Sequence, residues 1–264
     1  MYIGKTIRRD EDRRFLTGTG RFTDDIELAG ELHAAFVRSP HAHAKLIGID
    51  AEKSITQPGI IGVLSAVEWA AAGLGVLPTS VDIPSTDGTP MKSVFRPVFA
   101  ADEVHHVGDT VAVVIAEDAA TALDGADALI VDYEPMQAVT STRDALLAST
   151  PKAHSTLGDN RVHWLDVGDR SATALAFEHA HHVTRVSFEH PRVSANAIEP
   201  RAYAARFDAV DNRYTLLATG QNPHFLRRVL ARHALRIPMT QLRVICPDVG
   251  GGFGLKNFLY PEWV

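Results

Sequence analysis

Gly250, Gly251, Gly252 and Gly254 fall within five residues, broken only by Phe253, in the stretch PDVGGGFGLKN that follows the apolar run LRVIC. A chain gives up side chains at a strand end where its backbone turns sharply or comes close to something else. Two phosphate-binding readings fail on spacing. A P-loop needs glycine where Leu255 stands and Ser or Thr where Asn257 follows Lys256. A dinucleotide fingerprint counted from Gly250 or Gly252 puts its third glycine on Leu255 or Asn257. Two readings remain: a plain tight turn, or a row of unhindered amides that wraps an anion or lets a bulky cofactor touch the backbone. A second strand-end loop, TGQNP, carries Gln221, whose side-chain amide is a hydrogen-bond donor.

Other side chains invite chemistry less strongly. His179 and His182 of HAHH share a helix face and could hold a metal, but a solvated or locally hydrogen-bonded cluster is the favoured reading. SPHAHAK holds two histidines, His41 and His43, at strand spacing. Glu199 in NAIEPR reads either as a buried carboxylate, paired with Arg201 or close to a cofactor, or as plain packing. Cys246, the single cysteine, alternates inward on an expected core strand and reads as an inert thiol.

The elements that must position these residues are legible in outline. ELHAAFVRS and AKLIGID read as strands between glycine and aspartate turns. Ser65 and Glu68 have capping-box spacing ahead of an alanine-rich helix that Gly73 ends. Residues 75–100 read as a long surface excursion rich in proline. DTVAVVIA, EDAATALDGADA and LIVDYEPMQAV form a strand, helix, strand series; residues 142–172 read as polar and irregular, with ASTPKAHSTLGDN within them as the linker and a domain boundary near 150. Farther on, a strand is expected in VTRVSFEH and in AYAARFD, and RYTLLATGQ alternates as a half-buried strand. Asn222 and Pro223 then start a helix with Phe225, Leu226, Val229 and Leu230 on one stripe. QLRVIC is the last expected strand. One helix thus separates the TGQNP and GGGFG loops, which are expected side by side.

With 264 residues, of which 45% are hydrophobic, the chain can build a substantial core. A net charge of −6 leaves no basic footprint for nucleic acid. A lone cysteine excludes an internal disulfide or a multi-cysteine metal cluster, and with no signal peptide in view a cytoplasmic location is expected. No apolar run reaches the roughly 20 residues of a membrane span, so a soluble protein is expected.

TGQNP and VGGGFGLK, preceded in order by RFLTGTGRFTDDI, VRSPHAHAKLIGID, VGDTVAVVIAE and VDYEP, resemble the start of one family's molybdenum-binding large subunit. That family comprises xanthine dehydrogenase, aldehyde oxidase and aerobic carbon monoxide dehydrogenase. The resemblance implies an α+β (mixed α/β) fold, with a hammerhead domain over residues 1–150 and the opening of a molybdopterin-binding domain over 151–264. It assigns a structural role to SPHAHAK. It also implies a molybdenum–pterin cofactor, in the cytosine dinucleotide form, that hydroxylates a substrate carbon with water-derived oxygen. Gln221 would hydrogen-bond an oxygen ligand of the metal; Gly251, Gly252, Phe253 and Gly254 would lie against the cofactor; Asn257 would sit near substrate. No residue of the chain would bind molybdenum directly, and the general-base glutamate is expected beyond Val264. The chain is then expected to be an incomplete subunit, inactive alone, whether fragment, expressed domain or piece of a split subunit. Its expected partners are the rest of the large subunit, an iron–sulfur subunit and an FAD subunit, with an aldehyde, an N-heterocycle or carbon monoxide as substrate. Purine-oxidising relatives carry an acidic residue where this chain has Asn257, which argues against a purine. The competing expectation is a non-catalytic scaffold or binding module that keeps the fold.

Overall fold

The computed structural model describes residues 2–79, 81–94 and 96–264; Ser80 and Phe95, within the expected excursion, lie outside the described residues. The chain forms two compact units. One gathers Met1–Pro78, Pro97–Met136 and Ala195–Val264, and the other gathers Thr79–Arg96 and Gln137–Ser194.

The first unit contains three small sheets and opens with the short helix α1 (Asp12–Leu16). In the first sheet, β5 (Thr110–Ala116) lies between β1 (His33–Arg38) and β3 (Ile60–Ser65), antiparallel to both. Its central place explains the unbroken run of apolar residues in β5, since both faces are covered. In the second sheet, β2 (Ala44–Asp50) lies between β4 (Glu103–Val104) and β6 (Ile130–Pro135), again antiparallel. The strand, helix, strand series is therefore shared between two sheets.

Helix α2 (Glu52–Ile55) and helix α4 (Ala119–Ala128) pack together. Gly125 makes the close approach possible: a Cβ there would lie 2.6 Å from Ile60 Cδ1 and 3.0 Å from Val114 Cγ1. The capping box expected at Ser65 forms at the start of α3 (Ala66–Ala71), where Glu68 Oε2 accepts from the Ser65 amide at 2.8 Å. Beyond α3 the chain turns tightly, with the Gly75 amide donating to Ala234 O at 2.6 Å and Trp69 Nε1 donating to Gly75 O at 2.7 Å.

The third sheet pairs β7 (Tyr203–Asp208) antiparallel to β8 (Arg213–Ala218), and β8 parallel to β9 (Leu242–Ile245). The crossover between the parallel strands is helix α6 (Pro223–Val229), extended by a π-helical turn over Leu230–Ala234. As expected, Asn222 Oδ1 accepts from Phe225 N at 3.0 Å and Pro223 occupies the first turn. The apolar stripe of α6 enters a core cluster that joins Leu216, Leu226, Leu230, Leu242 and Trp263 to Leu77, Val98, Phe99 and Val113. Distant thirds of the sequence thus share one interior.

In the second unit, residues 142–172 are tied down by polar contacts. Lys92 N donates to Val162 O at 3.0 Å, Thr86 N to Trp164 O at 3.1 Å, and Asn160 Nδ2 to both Ala145 O and Pro151 O at 2.9 Å. Helix α5 (Arg170–Glu178) is capped by Asp169, whose Oδ1 accepts from Ala172 N at 2.8 Å. The strand expected in VTRVSFEH does not form, and Val186 and Phe188 are 77% and 85% exposed. Alternation supplies a strand's faces but not its neighbour, and no described strand pairs with this segment. No helix among the described residues is long and apolar enough to cross a membrane.

Candidate cofactor-binding site

The parallel pairing of β8 and β9 brings their C-terminal ends together, so the TGQNP and GGGFG loops meet as expected. Ligand sites on such sheets form beyond the carboxyl ends of parallel strands. At the end of β8, Thr219 is fully buried and extends the ladder to the preceding turn: its amide donates to Ala202 O at 3.0 Å and its Oγ1 accepts from Ala202 N at 2.9 Å. Gly220 then passes where no side chain fits, since a Cβ would lie 2.6 Å from Leu226 Cδ1 and 3.2 Å from Cys246 Sγ. Cys246 itself is half-buried, and burial pushes its thiol pKa up, in keeping with an inert thiol.

Gln221 emerges from this buried step. Its backbone amide donates to Lys256 O at 3.0 Å, and its side-chain Oε1 accepts from Gly254 N at 3.0 Å. The side chain lies over Gly252, where a Cβ would come within 2.4 Å of Gln221 Cδ and 2.7 Å of Oε1. Because Oε1 is spent on the glycine loop, the Nε2 amide group is the end left to donate, and it makes no hydrogen bond among the described residues.

The loop itself is coiled through left-handed backbone: φ is 101° at Gly251, 50° at Phe253 and 83° at Gly254. Phe253 is the informative member, because a bulky residue in that region is uncommon. Its ring is 75% exposed and folds against Gly251, where a Cβ would lie 2.9 Å from Phe253 Cε2. At Gly254 a Cβ would meet nothing within 4 Å, so the space beside it is open. Asn257 closes a single 3₁₀ turn, its amide donating to Gly254 O at 3.3 Å, and is half-buried. The structure therefore joins Gln221 to Gly252 and Gly254 directly, joins Gly251 to Phe253, and sets Asn257 one turn farther along.

A buried ion pair anchors the loop from behind. Lys256 is 1% exposed and donates from Nζ to Glu199 O at 2.8 Å and to Glu199 Oε2 at 3.0 Å. The same Oε2 accepts from Gly250 N at 2.6 Å. Glu199 is thus the expected buried carboxylate, but its partner is Lys256. Arg201 instead stacks over the Tyr260 ring at 3.7 Å, and the Tyr260 hydroxyl donates to Leu255 O at 2.8 Å. The signal for Lys256 was available in the sequence: a lone lysine ahead of the apolar NFLY must find a partner if that run is packed.

Asp248 anchors the loop at its entry. Its Oδ2 accepts from Arg21 N at 2.7 Å and pairs with the Arg14 guanidinium, which holds the carboxyl below its usual pKa, with the Arg21 amide adding to the effect. A depressed carboxylate pKa contributes stability above the unfolded value, about 3.9, and loses it as pH falls through the folded value. The melting temperature of Asp248→Asn should accordingly lie below that of the native chain at pH 7 and converge with it only as the pH falls from about 4 through the lowered folded value. A gap that persisted undiminished at pH 2 would show that the carboxylate charge is not responsible.

The histidines of HAHH are exposed, with His182 Nε2 within 3.1 Å of Thr184 Oγ1. An apolar cavity of about 380 Å³, lined by Tyr203, Leu216, Leu230 and Trp263 among others, includes neither Gln221 nor any glycine of the loop. The arrangement at the strand ends suits an oxygen-rich ligand: a side-chain donor, the Gln221 amide group, stands beside the open space at Gly254.

Comparison with known proteins bears on this arrangement. Residues 17–137 match the family described as aldehyde oxidase and xanthine dehydrogenase, a/b hammerhead domain. Residues 153–264 match the molybdopterin cofactor-binding domain. The nicotine 6-hydroxylase large subunit of Paenarthrobacter nicotinovorans is 33% identical over 98% of this chain and 31% of its own length. The carbon monoxide dehydrogenase large chain of Afipia carboxidovorans is 31% identical over 99% of this chain and 32% of its own. Among solved structures, quinoline 2-oxidoreductase from Pseudomonas putida 86 superposes with a TM-score of 0.86 at 34% identity, over 99% of this chain and 32% of that one. The chain thus spans about a third of the length of these relatives. Its mixed α/β elements, a hammerhead domain followed by molybdopterin cofactor-binding sequence, belong to the aldehyde oxidase and xanthine dehydrogenase family.

Proposed function

We propose that this chain contributes the hammerhead part, residues 1–150, and the opening of the molybdopterin-binding part, residues 151–264, to a molybdenum hydroxylase. The observation that carries this reading is the Gln221 side chain, turned by its Oε1 contact with Gly254 N so that Nε2 remains as a donor beside a floor of glycines. When bound, the molybdenum–pterin group, in its cytosine dinucleotide form, supplies the redox centre at which a substrate carbon is oxidised with oxygen from water.

This chain's residues hold and orient. Gln221 donates from Nε2 to an oxygen of the group. Gly251, Gly252 and Gly254 give the group access to the backbone, and Phe253 covers it with an apolar ring. Asn257, neutral at any pH, stands toward the substrate and favours an uncharged aldehyde, N-heterocycle or carbon monoxide over a purine. A glutamate outside these residues serves as general base. Electrons leave through iron–sulfur and FAD partner chains. Two relatives are named as a large subunit and a large chain, and another as subunit gamma of a dehydrogenase complex, which supports such an assembly. A cytoplasmic location fits the single cysteine.

The test is Gln221→Ala in the assembled enzyme. Turnover should fall by roughly a hundred- to a thousandfold, the effect of losing one preorganised donor, with molybdenum content retained. Native turnover in that variant would remove Gln221 from the site and favour a fold-retaining scaffold.

A further inference from the structure

We propose that His43, Glu103 and His105 form a binding site for a divalent transition metal of the zinc type. The sheet register brings the three together. In the antiparallel pair β2–β4, Ala44 faces Val104 and Lys45 faces Glu103, so the next step of the same register sets His43 opposite His105. Glu103 and His105 are two residues apart and share a face, while Val104 between them enters the core with Ala44, Ala100 and Val111. One nitrogen or carboxylate oxygen from each of the three lies within 4.8 Å of the others. His43 Nε2 is 2.5 Å from Glu103 Oε1, and the two histidine rings are 5.8 Å apart.

The surroundings are built rather than incidental. His43 is 4% exposed, and the Glu103 side chain is 13% exposed. His105 is half-buried, and its backbone is held by Asp109, whose Oδ2 accepts from His105 N at 3.0 Å. The carbonyl of His43 accepts from Met136 N at 2.9 Å. Lys45, on the same face, directs its Nζ to Glu134 Oε2 at 3.1 Å.

Two imidazoles and one carboxylate match zinc's preference for nitrogen and oxygen donors, and leave a fourth position for water beside half-buried His105. Magnesium and calcium, which take all-oxygen sets, are poorly served. A tetrahedral zinc needs ligand atoms about 3.3 Å apart, given metal–ligand bonds of about 2.0 Å. Binding therefore opens the His43–Glu103 contact by less than 1 Å and replaces that contact with metal bonds from both side chains. The consequence is a staple across a β2–β4 ladder only two residue pairs long.

The experiment uses the complete polypeptide purified with its partner chains, depleted with a chelator, dialysed against zinc chloride and then against buffer. Zinc is counted by mass spectrometry separately from molybdenum and iron, and its ligands are read by zinc-edge X-ray absorption. One zinc per chain with a nitrogen and oxygen shell is expected, with affinity falling more than about a hundredfold in both Glu103→Gln and His105→Ala, beyond the loss for an outer-shell partner. Glu103→Gln keeps a hydrogen-bonding group for His43, so a merely structural role for the glutamate would leave zinc content unchanged. The double variant His179→Ala/His182→Ala should retain zinc fully. No stoichiometric zinc in the native protein, zinc undiminished in Glu103→Gln and His105→Ala, or zinc lost from the double variant would each overturn the site.

Discussion

Gly252→Ala is expected to leave the assembled enzyme folded and almost devoid of molybdenum and pterin. The added methyl carbon would lie 2.4 Å from Gln221 Cδ, 2.6 Å from Cγ and 2.7 Å from Oε1, so the glutamine must leave. Its departure breaks the contact with Gly254 N and sends the side chain toward the space proposed for the cofactor. The folding cost is modest, at about 1–3 kcal/mol for overpacking, because Gln221 is exposed and has somewhere to go. The effect differs in kind from that of Gln221→Ala, which removes a donor and leaves the space open. Metal analysis, pterin fluorescence and thermal melting on both variants separate the two. Normal loading in Gly252→Ala would mean that the glycine floor is an ordinary turn.

Lys256→Met is expected to be the most destabilising substitution near the loop, at about 3–5 kcal/mol, the cost of leaving a buried charge without its partner. Glu199 Oε1 is already buried without a hydrogen-bond partner among the described residues, and the substitution would leave Oε2 with only the Gly250 amide. Glu199→Gln combined with Lys256→Met removes the stranded charge and should recover part of the loss. Urea unfolding of the single and double variants measures this coupling. Additive losses would indicate that the two side chains act independently.

What was legible in the sequence follows the range of the interactions. Ser65 with Glu68, and Asn222 with Pro223, announce their helices because a cap is settled within three or four residues. The meeting of the two loops was legible because a strand, helix, strand unit of parallel strands has few alternatives. Glu199 illustrates the opposite case. It was readable only as a candidate buried carboxylate, and its partner lies 57 residues away while Arg201 is only two, so proximity in sequence pointed to the wrong cation. The strand expected in VTRVSFEH failed for a related reason, since periodicity says nothing of whether an edge is present to receive it. Residues 142–172 read as irregular, with ASTPKAHSTLGDN as a linker, because hydrogen bonds between polar segments leave no periodic trace.

The shared core cluster governs how this protein is made. Leu77, Val98, Phe99 and Val113 leave the ribosome long before Leu216, Leu226, Leu230 and Trp263, against which they are buried. At a synthesis rate of about 5–20 residues per second, the interval between Val113 and Leu216 lasts roughly 5–20 seconds. During that time the nascent hammerhead strands carry an uncovered apolar face, and long-range pairing cannot repay its loop entropy until the last sheet arrives. A chaperone that shields the growing chain through this interval, and releases it once Trp263 is clear, would matter more to yield than any single contact in the finished molecule.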